Sequence, residues 1–72
     1  MKQVTAEYIA GIEEGRAFQK ANPDFSRQDI AAHIDILKRC LARGFAKPMA
    51  DMFRGERDFW ITQLKIRKER IK

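Results

Sequence analysis

Apolar positions along this chain recur at helical spacing rather than in strand-like alternation. Tyr8, Ile9, Ile12 and Phe18 make a first run, and Ile30, Ile34, Leu37 and Leu41 a second. Met49, Phe53, Trp60 and Leu64 make a third, with Met52 and Phe59 beside it and Ile71 beyond. β-branched residues are few, so no strand is expected. The pattern predicts helices over 6–21, 27–43 and 48–70. The fold class that follows is all-α, within one domain spanning 1–72. It is either a small three-helix bundle or a helical hairpin with a long third helix, and a dimeric state is part of the expectation.

The helix ends have local causes. Thr5 is a suitable first N-cap, with Glu7 at the positive end of the helix dipole. Asn22-Pro23 stops that helix, because the residue before proline avoids the α conformation and proline lacks an amide hydrogen. Ser26 and Asp29 have capping-box spacing, and Phe25 and Ile30 are placed to staple across the start of the second helix. Gly44 suits its end, with Arg43 at the negative pole. Pro48 fits the first turn of the third helix, where its missing amide hydrogen has no partner to lose. Gly55 weakens the middle of that helix by about 1 kcal/mol relative to alanine. Phe53, Phe59 and Trp60 are expected to hold the helix together on either side. The two corners, near 22–26 and 44–47, are short enough to make successive helices antiparallel or steeply crossed.

Composition then narrows the class. The 72 residues are 44% hydrophobic and 35% charged, too apolar for disorder and too polar for a membrane span. The first residues, Met1 to Glu7, lack the apolar stretch of a signal peptide. One cysteine, Cys40, allows no internal disulfide, so a reducing cytoplasm is the expected setting. The net charge of +5 is unevenly placed. Residues 1–64 carry ten bases and nine acids, whereas residues 65–72 carry five bases and one acid. Basic character therefore belongs to a C-terminal tail.

Few residues offer chemistry. His33 and Cys40 are two turns apart on the second helix, about 10 Å along its axis at 1.5 Å per residue. That is too far for an imidazole to activate a thiol, and two ligands do not make a zinc site. Glu13, Glu14, Asp51, Glu56 and Asp58 alternate with Arg16, Arg54 and Arg57, the pattern of solvated faces carrying local ion pairs. No phosphate loop, nucleophile elbow or acidic metal loop is present. No catalytic residue, cofactor or metal is expected. Gly11 and Gly15 give the first helix a small face, read as tight packing within the fold before a subunit contact.

Phe59 and Trp60 point about 100° apart on a helix, so one of them is expected to remain partly outside a small core. Phe53, Phe59, Trp60 and Leu64 are therefore the candidate protein-interface residues, and a symmetric homodimer through the third helix is the simplest use of them. Lys65, Arg67, Lys68, Arg70 and Lys72 are the candidate nucleic-acid contacts, through salt-dependent attraction to phosphates. The same bases also complement a helix C-terminus. A helix-turn-helix is disfavoured, because Lys47-Pro48-Met49-Ala50-Asp51-Met52-Phe53 is apolar and acidic where base-reading residues would begin.

The strings Tyr8-Ile9-Ala10-Gly11-Ile12-Glu13-Glu14-Gly15-Arg16 and Phe53-Arg54-Gly55-Glu56-Arg57-Asp58-Phe59-Trp60 resemble short accessory proteins from the early regions of lambda-like temperate phages. The resemblance implies a protein of the host bacterial cytoplasm that redirects the infected cell by binding a host or phage protein. Proteins of this kind from the interval between the recombination and excision genes are associated with host cell-cycle and lysis–lysogeny effects. The expected function is thus a non-enzymatic accessory protein with a protein partner and no membrane role. An inhibitor that inserts a helix into a host enzyme falls in the same class. The alternative is a small nucleic-acid-binding accessory factor using the basic tail.

Overall fold

The computed structural model describes residues 4–70. It consists of α1 (Ala6–Ala21), α2 (Arg27–Arg43) and α3 (Lys47–Arg70), with no strand among the described residues. The fold is a small three-helix bundle. Both α1 and α2 pack on α3, while among the described residues their backbones never come close to each other. The pairings set the directions. Thr5 meets Asp51 and Gln19 meets Gln63, so α1 runs parallel to α3. Arg67 donates to the carbonyl of Phe25 and the Phe45 ring meets Phe53, so α2 runs antiparallel to α3.

Capping follows the sequence closely. The Thr5 hydroxyl accepts from the Tyr8 amide, and Ser26 and Asp29 form a reciprocal capping box. Gly44 closes α2 with φ +84°, a left-handed backbone that side chains rarely adopt. Pro48 lies in the first turn of α3, which begins one residue earlier than predicted.

The core is built where α2 meets α3. Ile30, Ile34 and Leu37 are buried against Phe59 and Trp60, with Ile12, Phe25, Phe53 and Leu64 packed around them. At the other seam, α1 and α3 approach through glycine. A Cβ built on Gly11 would lie 2.0 Å from the carbonyl oxygen of Met52, and one on Gly55 would lie 2.0 Å from that of Tyr8. Each helix thus turns a glycine Cα hydrogen toward a carbonyl of the other, a weak but recurrent helix–helix contact. Gly55 is therefore held by close backbone approach, not only by flanking aromatics as expected. The small face of α1 is used within the fold.

This geometry corrects the expectation for the paired rings. Trp60 is 0% exposed and Phe59 only 9%. Both fit inside one chain because α3 is covered on two flanks. Phe59 projects beneath Gly15, where a Cβ would stand 2.6 Å from its ring, and Trp60 packs against Phe25 and His33 on the other side. The first helix also departs from its apolar reading: Ile9 is exposed, and Gly11 and Gly15 are its buried positions.

Candidate interaction surface

Along the α1–α3 seam the carboxylates do structural work. Thr5 donates its hydroxyl to Asp51 at 3.1 Å, and Arg54 donates to the other oxygen of Asp51 at 2.8 Å. One helical step on, Tyr8 donates to Asp58 at 2.5 Å and Arg57 donates to the same carboxylate at 3.1 Å. Val4 and these residues line a cleft of about 330 Å³. Its charges cancel within the chain, because each aspartate is matched by an arginine. Hydrogen bonding to Asp58, then burial, raises the Tyr8 phenol above its ordinary range. The local ion pairs expected from the alternation with arginine form, but Asp51 is buried and Asp58 half-buried, so the face they occupy is not the solvated one expected.

The third seam, between α1 and α2, is closed at one end and open at the other. At the closed end Phe18 of α1, Phe25 at the corner, His33 of α2 and Trp60 of α3 form a ring cluster. Phe18 stacks on His33 with centroids 5.8 Å apart and planes 14° apart. Trp60 meets both edge-on, at 6.1 and 5.8 Å. Below the cluster, His33 Nε2 stands 4.0 Å from a Glu56 carboxylate oxygen. Burial pulls the His33 imidazole below its ordinary value, while burial and then nearby Glu14 push the Glu56 carboxyl up.

Helical register shows what continues past these contacts. Counting about 100° per residue, Phe18, Glu14 and Glu7 share a stripe of α1. His33, Ile36 and Cys40 share one of α2, and Trp60, Glu56, Met52 and Met49 share one of α3. The three stripes meet at the ring cluster, so their far ends border the same open seam. There the α1 stripe offers only Ala10 and Gly11 between its glutamates. Its borders stay in solvent: Ile36 is 54%, Met49 48% and Phe45 42% exposed. The α1 side carries Glu7 and Glu14. The four ion pairs among the described residues use neither of them.

The sequence-predicted interface residues fall elsewhere. Phe53 and Leu64 are partly buried around the core and Phe59 and Trp60 lie within it, so the four present no common outer surface. The tail residues also separate. Lys65 and Lys68 are exposed, whereas Arg67 is partly buried and spent on the Phe25 carbonyl. The Arg70 side chain, Ile71 and Lys72 lie outside the described residues. Exposed Arg54, Lys65 and Lys68, half-buried Arg57 and exposed Ile61 recur every three or four residues, forming a stripe on α3 away from the open seam.

No family model, curated protein or solved structure matches the chain. Among the described residues, no helix is long and apolar enough to cross a membrane.

Proposed function

We propose that this chain is a non-enzymatic interaction protein of the phage or prophage accessory kind, acting in the host cytoplasm by holding a protein partner in the open α1–α2 seam. The observation that carries this reading is the exposure of Met49, Ile36 and Phe45 in a fold whose α1 and α2 backbones, among the described residues, do not approach each other. Exposed methionine, isoleucine and phenylalanine side chains suit the apolar face of an amphipathic helix, since methionine adapts its shape. The groups that acid–base chemistry would use are taken up otherwise. Tyr8, Asp51 and Asp58 fasten α1 to α3, and His33 sits among rings. The test compares proteins captured from a bacterial lysate by the parent chain and by Met49→Glu at matched folding. A set of partners lost with Met49→Glu supports the seam, and identical captures sink it.

A second reading, nucleic-acid binding, has one observation in its favour: the α3 stripe of Arg54, Arg57, Lys65 and Lys68 on its uncovered face. Asp51 and Asp58 already engage its two arginines, which limits the free charge. Retention on DNA that weakens steeply with salt and falls in Lys65→Gln/Lys68→Gln would favour it.

A further inference from the structure

We infer that the uncovered face of α3 is a docking surface for duplex nucleic acid, held through its phosphates and without regard to base sequence. It deepens the nucleic-acid reading and rests on that reading, not on the open seam. The fold sorts the charges of α3 by face. The acids whose side chains are described are drawn to the covered flanks. Asp51 and Asp58 accept the hydroxyls of Thr5 and Tyr8 on α1, and Glu56 lies beside His33 on α2. What is left in solvent is basic. At about 100° per residue, the positions within about 40° of Ile61 are Lys47, Ala50, Arg54, Arg57, Lys65 and Lys68. Five bases and no acid share this stripe, although residues 1–64 carry ten bases against nine acids. Lys47, Arg54, Lys65 and Lys68 are exposed, and Arg57 is half-buried.

Spacing and side-chain chemistry select the partner. At 1.5 Å per residue, the Arg54–Arg57 pair is centred about 16 Å from the Lys65–Lys68 pair, and Lys47 stands about 10 Å before Arg54. A duplex presents phosphates on both sides of a major groove about 12 Å wide, so long basic side chains from the two pairs reach opposite strands. No aromatic residue lies on the stripe, so an unpaired base has nothing to stack on and a single strand is disfavoured. The guanidiniums of Arg54 and Arg57 are anchored on Asp51 and Asp58. Neither is free to grip a guanine edge with both arms, and phosphate contacts by themselves carry no sequence information. Ile61 is the stripe's one exposed apolar residue, too little to enter a bilayer.

Fluorescence anisotropy of a labelled duplex of about 16 base pairs against the full chain, at about 50 to 200 mM salt, tests this. The parent is expected to bind with a log–log salt slope of about −3 to −4, from three or four phosphates at about −0.9 each. An unrelated duplex sequence should bind within about threefold of the first. Lys47→Gln/Lys65→Gln/Lys68→Gln should lose about tenfold or more in affinity at about 50 mM salt, with its slope reduced to about −1. Lys20→Gln/Lys38→Gln/Arg43→Gln is the matched control. Each triple variant lowers the net charge from +5 to +2, but the control's exposed bases lie on α1 and α2, and it should keep the parent's slope. Circular dichroism confirms that both variants remain helical.

A control that weakens as much as the stripe variant shows diffuse attraction by net charge and overturns the surface. Preference for a single strand of the same length overturns the duplex while keeping the nucleic-acid reading. Binding to phosphatidylserine vesicles in preference to duplex overturns both, as does no retention of any nucleic acid at about 50 mM salt.

Discussion

Gly11→Ala is the sharpest test of how α1 is held, because two effects of known sign oppose each other there. In a solvated helix alanine is better than glycine by about 0.8–1.0 kcal/mol. At Gly11, however, the new methyl would stand 2.0 Å from the Met52 carbonyl oxygen and 2.9 Å from the Glu56 nitrogen. Both obstacles are backbone, so no side chain can swing aside and the helices themselves must part. Ordinary contact begins near 3.4 Å, which demands more than an ångström of extra separation. That shift strains the packing by about 1–3 kcal/mol. It also stretches the Thr5–Asp51 and Tyr8–Asp58 hydrogen bonds, each worth about 1 kcal/mol net.

Contact therefore outweighs propensity, and a net loss of about 2–4 kcal/mol is expected. For a domain of this size each kcal/mol moves the melting temperature by about 4–8 °C, so thermal and urea unfolding followed by circular dichroism will resolve it. Gly44→Ala is the internal comparison. It carries left-handed strain of about 1–2 kcal/mol yet meets nothing within 4 Å, so its loss should be smaller. A Gly11→Ala protein as stable as the parent, or more so, would refute the close α1–α3 approach.

The remaining predictions concern the core, the seam and pH. Phe59→Ala removes a ring shared between α1 and the core and should cost about 3–5 kcal/mol, enough to leave the chain largely unfolded by near-ultraviolet circular dichroism at 37 °C; a cooperative melt close to the parent's would contradict its burial. Tyr8→Phe strips Asp58 of a charge-assisted partner and should destabilise by about 1–2 kcal/mol at neutral pH. Because the phenol is raised, the parent's advantage over Tyr8→Phe is present below the ordinary value of 10.0 and lost as pH climbs through the folded value. His33 is shifted down from 6.5, so the unfolded chain binds its proton first, and the stability it contributes above that pH is lost on acidification. His33→Gln should flatten urea midpoints between about pH 7 and 5, and an unchanged slope would count against a buried neutral imidazole. Glu56 has the opposite sense, raised above 4.5, so its ionisation opposes folding as pH rises. Glu56→Gln should then stabilise more at about pH 7 than at about pH 4, and equal gains at both would show that its burial carries no charge penalty.

Local rules made the helices legible. Thr5, Ser26 with Asp29, Asn22-Pro23 and Gly44 each act on their own neighbours, and each ends or starts a helix where its chemistry demands. The arrangement of helices was less legible, because apolar counting treats every ring as needing a place inside and every small residue as neutral. Gly15 was the missed signal for Phe59: an absent side chain on α1 makes the pocket that a surplus ring on α3 fills. Asp51 and Asp58 were misread for a related reason. Their arginine neighbours in sequence suggested a wet surface, while their hydroxyl partners lie 46 and 50 positions away. The open seam depends on which helix backbones stay apart, something that helical periodicity does not encode.

That the α1 and α2 backbones each lie against α3, and meet each other only through Phe18 on His33 among the described residues, fixes the order in which the molecule can acquire a shape. A nascent chain that has released only its first forty-odd residues from the ribosome holds two helices with nothing to lie against, and isolated helices of this length are marginal in water. Native closure must wait for the last helix to emerge, and its α1 contacts join residues more than forty apart. A stop codon at the start of α3 should therefore be as damaging as one in α1, because both leave nothing for the first two helices to pack on.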